Sequence, residues 1–105
     1  MPLDGTNYIS AEQSELLDAA AVLRERGWCQ HVLQADDGRM CMVGAIASIQ
    51  LKSTTDLWKV RLSTPTFARI LAIAPDIGRF GFAAWNNHPQ RTAEQVITLL
   101  ELAAQ

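Results

Sequence analysis

Cys29 and His31 stand two positions apart, with Gln30 between them and Cys41, Asn86 and His88 further along the chain. These residue types can make a thiol enzyme. Cys29 would be the nucleophile, His31 or His88 its base, and Asn86 or Gln30 the orienting group or oxyanion donor. In a strand, residues two apart share a face, so a Cys29–His31 pair is compatible with that chemistry. The position of Cys29 argues the other way. It follows a helix C-terminus, whose negative dipole end disfavours a thiolate, whereas a reactive thiol needs a cationic or helix-N-terminal setting. The favoured reading is a half-buried cysteine packing as a small apolar side chain.

A zinc site is the second chemistry these residues suggest. Cys29, His31, Cys41 and His88 are ligands of suitable type, but no Cys-x-x-Cys or His-x-x-x-His spacing joins them. No metal and no cofactor is therefore assigned. Trp28, Trp58 and Trp85 could stack on a base or nucleotide, with Arg39, Arg79 or Arg91 meeting a phosphate and the amides ahead of Thr92 suiting an anion. A Gly-rich phosphate loop is missing, since Gly78-Arg79-Phe80-Gly81 carries just two glycines. Trp28 and Trp85 read first as core residues. Asn86-Asn87-His88-Pro89 is polar and lies in a loop, where sites often sit. Asparagine also serves tight turns, and proline stiffens the approach to Thr92. Gln30 can satisfy a buried carbonyl or read a ligand amide. The candidate ligand- or partner-binding residues are thus Trp28, Gln30, His31, Trp58, Trp85, Asn86, Asn87 and Arg91, and no catalytic residue is assigned.

The elements that must position these residues follow from punctuation and periodicity. Residues 1–9 read as a flexible arm and 10–105 as one compact domain. Ser10-Ala11-Glu12-Gln13 is a capping box, so a helix runs over about 11–26 with Leu16, Leu17, Ala20, Leu23 and Ala21 as its apolar stripe. Gly27 stops it. Two short apolar runs, 28–35 and 39–42, flank Asp36-Asp37-Gly38 and predict a β-hairpin packed on helices. Val43 to Ile49 reads as a small-residue helix in which Gly44 has a packing reason. Residues 57–62 read as a short helix. Thr64-Pro65 starts another helix, ending at Ala74 before Pro75. Pro75 to Gly78 reads as a turn, and Phe80, Phe82, Ala83 and Trp85 as a short buried segment. Thr92-Ala93-Glu94-Gln95 is a second capping box. The last helix runs to about 104, with Val96, Leu99, Leu100 and Ala103 facing inward. Leu99 and Leu100 are expected to pack on Leu16 and Leu23.

Composition bounds the rest. With 105 residues the chain makes one domain, and 49% apolar residues suit a globular fold. The net charge of −2, with cations scattered among the acids, argues against a dedicated nucleic-acid binder. The longest apolar runs, such as Ile70 to Ala74, fall far short of the roughly 20 residues a membrane span needs. An acidic, polar N-terminus does not resemble a signal peptide. A cytoplasmic location with Cys29 and Cys41 as free thiols is expected.

Arg26-Gly27-Trp28-Cys29-Gln30, then Asp37-Gly38-Arg39 with Cys41 and Gly44-Ala45, and finally Trp85-Asn86-Asn87 with Arg91-Thr92, Glu94 and Val96 resemble, in order and spacing, a known family. It is domain of unknown function family 6197, a set of small actinobacterial and phage proteins. The family pattern reads Trp-Asn-Asp where this chain has Trp85-Asn86-Asn87, so chemistry resting on that acid would be missing here. The resemblance covers about residues 15–104 and implies a fold without implying an activity.

The expected fold is α+β: a mostly helical, compact single domain of four to five short helices with a small β-hairpin. The expected function is that of a non-enzymatic interaction protein, a bacterial or phage accessory factor modulating a host protein. Trp58 and Phe67 are its candidate exposed anchors, and they also suit homodimerisation. The alternative is a small-ligand or nucleotide binder, or a Cys/His enzyme, using a cleft between residues 27–31 and 85–91.

Overall fold

Helix α1 (Ala11–Arg26) begins at the expected capping box. The Ser10 hydroxyl accepts from the Gln13 amide at 3.1 Å and the Gln13 side chain returns a bond to the Ser10 amide at 2.9 Å. Gly27, at φ +91°, closes the helix through a bond from its amide to the Leu23 carbonyl. The computed structural model describes residues 9–105, so most of the 1–9 arm lies outside the described residues. Five more α-helices follow: α2 (Met42–Leu51), α3 (Pro65–Ile73), α4 (Asp76–Phe80), α5 (Phe82–Asn86) and α6 (Ala93–Ala103). A 3₁₀ turn at Leu57–Lys59 stands where a longer helix over 57–62 was expected. None of these helices is long and apolar enough to cross a membrane.

Helix α1 is the centre of the packing and lies against α2, α3 and α6. Leu16, Ala19, Ala20 and Leu23 form its buried face, while Leu17 and Ala21 are exposed. The expected stripe was therefore rotated by part of a turn: the small Ala19 lets a neighbouring helix approach, and Leu17 remains in solvent. The pairing of α6 with α1 is as expected, with Leu99, Leu100, Leu16 and Leu23 in one core cluster. Arg24 bridges that pair on the outside, reaching Glu94 at 3.4 Å and Glu101 at 3.2 Å. Exposed pairs of this kind add little stability. At the other end of α6, Gln13 and Arg69 donate to the carbonyls of Ala104 and Ala103 at 2.8 and 2.7 Å. They satisfy acceptors that a helix end leaves open.

The β-hairpin is absent, and no β-strand occurs among the described residues, so the fold is helical rather than α+β. The turn itself is present: Gly38 takes φ +94° and its amide donates to the Ala35 carbonyl. The flanking runs do not form a ladder. Fully buried Met40 instead makes two isolated bridges, parallel to Trp28 and antiparallel to Gln34. One cause is His31, at φ +75°, a conformation that interrupts any extended run. Residues 27–41 therefore form a curled loop that encloses Met40.

Two further expectations need correction. Residues 80–85 do not form one buried segment. They are the end of α4, a break at Gly81 (φ +94°) and most of α5. Phe82 is buried against Phe67, edge to face with centroids 4.9 Å apart, whereas Phe80 is 65% exposed. Asp76 to Gly78 belong to the short helix α4, with Pro75 as its N-cap, rather than to a simple turn.

Gly44 has the expected packing reason. A Cβ placed there would lie 2.0 Å from the Leu33 carbonyl oxygen, which crosses the first turn of α2. Gly44→Ala should lower the unfolding free energy in a urea titration by about 2–3 kcal/mol or more, the scale of core overpacking. Gly78→Ala is the control. A Cβ at Gly78 meets just a Leu71 methyl at 3.7 Å, so the helical position should gain about 0.5 kcal/mol.

Candidate functional site

Helix α5 ends in Asn86, which is 1% exposed. Its side-chain oxygen accepts from the Trp28 indole Nε1 at 2.8 Å and from the Met42 amide at 3.1 Å. Its side-chain nitrogen donates to the Cys29 carbonyl at 3.2 Å and to Asn87 Oδ1 at 3.0 Å. The Met42 amide belongs to the first turn of α2, where helices lack internal acceptors. Gln30 Nε2 donates to the backbone carbonyls of Asn86 at 3.2 Å and His88 at 2.9 Å. The His31 amide donates to Asn87 Oδ1 at 2.8 Å. That contact holds His31 in its left-handed conformation.

Segments 27–31 and 85–91 thus meet through side-chain hydrogen bonds and do not face each other across an open cleft. Among the described residues, no buried side-chain nitrogen or oxygen lacks a partner. The arrangement is a polar latch. Both bonds at Asn87 Oδ1 are accepted ones, so a carboxylate could do the same work there.

Trp85 and Arg91 sit beside the latch, with the guanidinium 3.8 Å over the indole ring and Arg91 Nε donating to the Trp85 carbonyl at 2.9 Å. Trp58 lies apart on the 3₁₀ turn, 71% exposed, with the Lys59 ammonium 5.5 Å from its ring. The structure therefore gathers seven of the eight candidates, Trp28, Gln30, His31, Trp85, Asn86, Asn87 and Arg91, and leaves out Trp58. Phe67, the other expected exposed anchor, is fully buried and belongs to the core.

The thiols are placed for packing. Cys29 is buried, its Sγ directed to the carbonyls of Arg39 at 3.5 Å and Val32 at 3.7 Å. Burial pushes its pKa up, outweighing the Ala35 backbone bond and the Arg39 charge. No hydrogen bond joins it to the exposed His31 ring among the described residues. Cys41 is the N-cap of α2, its Sγ accepting from the Gly44 amide at 3.3 Å, and burial raises its pKa as well. Among the described residues, no three His, Cys, Asp or Glu side chains converge on a point that could hold a metal ion.

Two open hollows flank α5. One, of about 450 Å³, is walled by Val32, Leu33, Val43, Leu62, Phe82 and Ala83, next to Asn86. The other, of about 570 Å³, is walled by Asp76, Phe80, Ala84, Trp85, His88 and Arg91. Nothing in the sequence marks Leu33 or Met42 as parts of this region, and it offers Cys41 as a metal ligand rather than as a helix cap. The signal for Cys41 was its place three residues before Gly44, but sulfur is a weak acceptor and ranks low as a cap.

The fold and its centre define a small helical protein whose motif residues bind one another. A family model described as "Family of unknown function (DUF6197)" matches residues 11–105, and the chain belongs to that family. No curated protein and no solved structure matches the chain.

Asn86→Ala should cost about 3 kcal/mol or more in denaturant unfolding, because it strands buried donors of Trp28 and Met42. Asn86→Asp should be nearly as damaging at neutral pH, since a carboxylate oxygen would oppose the Cys29 carbonyl. Asn87→Asp should be tolerated. Both native thiols should alkylate more slowly with iodoacetamide at pH 7 than those of the urea-unfolded chain. Their folded pKa values lie above the unfolded ones. Their contribution to stability should therefore be intact below the ordinary thiol range and decline as pH rises through it.

Proposed function

We propose that this protein is a non-enzymatic binding module that engages a partner protein across α5. The observation that carries this reading is the separation of polar and apolar groups around that helix. The polar side chains of the latch are occupied by one another. The surfaces on both sides of α5 are apolar hollows, bordered by exposed Val32, Leu62 and Phe80. Ala83 and Ala84 form a low exposed ridge between them. A ridge of small residues between two hollows suits a partner that inserts apolar anchors on either side. Buried thiols with raised pKa values do not suit nucleophilic catalysis. An accessory factor that modulates a host protein would act through such a surface.

The test is a photo-cross-linking amino acid placed at position 83 or 62 in producing cells, with position 18 on exposed α1 as the control. Discrete cross-linked products at 83 and 62, absent at 18, are the expected outcome. A product at twice the chain mass would identify a second copy as the partner. Equal labelling at all three positions, or none at 83 and 62, would overturn the reading.

A further inference from the structure

Arg91 differs from the other bonded arginines of the chain. Arg24 is paired with Glu94 and Glu101, Arg39 with Asp37, and Arg69 caps the end of α6. Arg91 has two contacts, both of which orient it without neutralising it. Nε donates to the Trp85 carbonyl at 2.9 Å, and the guanidinium carbon lies 3.8 Å from the Trp85 ring centroid. Among the described residues, its two Nη groups bond no protein atom and no carboxylate pairs with it. These contacts leave the Nη edge unpaired, and that edge is a fork shaped for an oxyanion.

The surroundings add to this. Arg91 borders the hollow walled by exposed Phe80, Ala84 and Trp85. His88, on the same wall, accepts the Gln90 amide on Nδ1 at 3.1 Å. Arg79 lies over the Phe80 ring at 5.4 Å. Asp76 is the one acid in the wall. The wall therefore sets one cation, Arg91, and one acid, Asp76, around an apolar floor.

We propose that this hollow receives an acidic aromatic peptide segment of the partner. A carboxylate pairs with the Arg91 fork while the neighbouring aromatic side chain seats against Phe80, Ala84 and Trp85. The proposal rests on the protein-binding reading above and names the partner's chemistry. The aromatic contact supplies most of the affinity, because exposed ion pairs contribute little. The carboxylate supplies register and selects against basic segments.

The test is an NMR titration that follows the Trp85 indole and Arg91 Nε resonances. The probes are acetyl-Phe-Glu-amide, acetyl-Phe-Gln-amide and acetyl-Phe-Lys-amide, with benzoate and inorganic phosphate alongside. The Phe-Glu probe should move both resonances, and the Phe-Gln and Phe-Lys probes should bind about threefold more weakly. Arg91→Gln should abolish that preference, and Arg91→Lys should keep part of it. The Trp28 indole resonance should be undisturbed in both variants, showing that the latch is intact. Equal binding of Phe-Glu and Phe-Gln, an unchanged preference in Arg91→Gln, or no response to any peptide would overturn the proposal. Tighter binding of benzoate or phosphate than of the peptide would assign the hollow to a free small acid, which also overturns it. Cross-links at 83 and 62 together with no peptide response would remove this assignment alone. Loss of both would remove the protein-binding reading itself.

Discussion

The side-chain amide of Asn86 is the constraint on which the architecture depends. A five-residue helix such as α5 has little stability of its own, because most of its backbone groups find no partner within it. Asn86 connects it to three other places at once. The oxygen holds the first turn of α2 and the indole of Trp28, and the nitrogen holds the carbonyl of Cys29. An amide suits this point because it offers a donor and an acceptor on one planar group. A carboxylate would lack the donor, and an apolar residue would leave three buried polar groups unmatched. Segments more than forty residues apart are thereby registered at one atom group.

The first turn of α2 explains the course of the loop before it. Its amides donate, from Met42 to Asn86 Oδ1, from Gly44 to Cys41 Sγ and from Ala45 to the Cys41 carbonyl. The Leu33 carbonyl crosses the same turn, held by the Cys41 amide at 3.2 Å, and needs the missing side chain of Gly44 to do so. A flat two-stranded ribbon would not wrap over a helix start in this way. The chain bends at His31 instead, and the bond to Asn87 offsets the cost of that positive φ. Met40 is enclosed by the bend and bridges both neighbouring stretches. The hairpin lost to tertiary contacts that no local pattern encodes.

Local signals were readable wherever the interaction that makes them is local. The boxes at Ser10 and Thr92, the stop at Gly27 and the turn at Gly38 involve partners within a few residues, and the start at Pro65 rests on the fixed φ of proline. The close approach at Gly44 was readable as a reason for glycine, though not as the carbonyl of Leu33. What could not be read depends on distant partners. Leu17 and Ala19 are equally compatible with a helix stripe, and the position of α2 and α6 decides between them. Phe67 and Trp58 looked alike as exposed candidates. Phe82 covers one, and the other stays 71% exposed. The family motif coincides with the latch region, but spacing alone does not distinguish residues that bind each other from residues that wait for a ligand.

Counting partners makes that distinction. Asn86 makes four side-chain hydrogen bonds, which saturates its donors and gives its oxygen two bonds. Gln30 Nε2 is shared between two carbonyls. The Asn86 amide, satisfied to this extent, has no capacity left for a ligand without opening the fold. Arg91 lies at the edge of the motif and is satisfied on one side alone: Nε and the ring face are engaged, and the fork is not. The same Trp85-Asn86-Asn87 segment thus turns its amide inward to lock α5 and its indole outward to hold a cation in place. Rigidity inside and an oriented charge outside come from neighbouring residues of one short helix, and any recognition at this surface inherits its geometry from the latch.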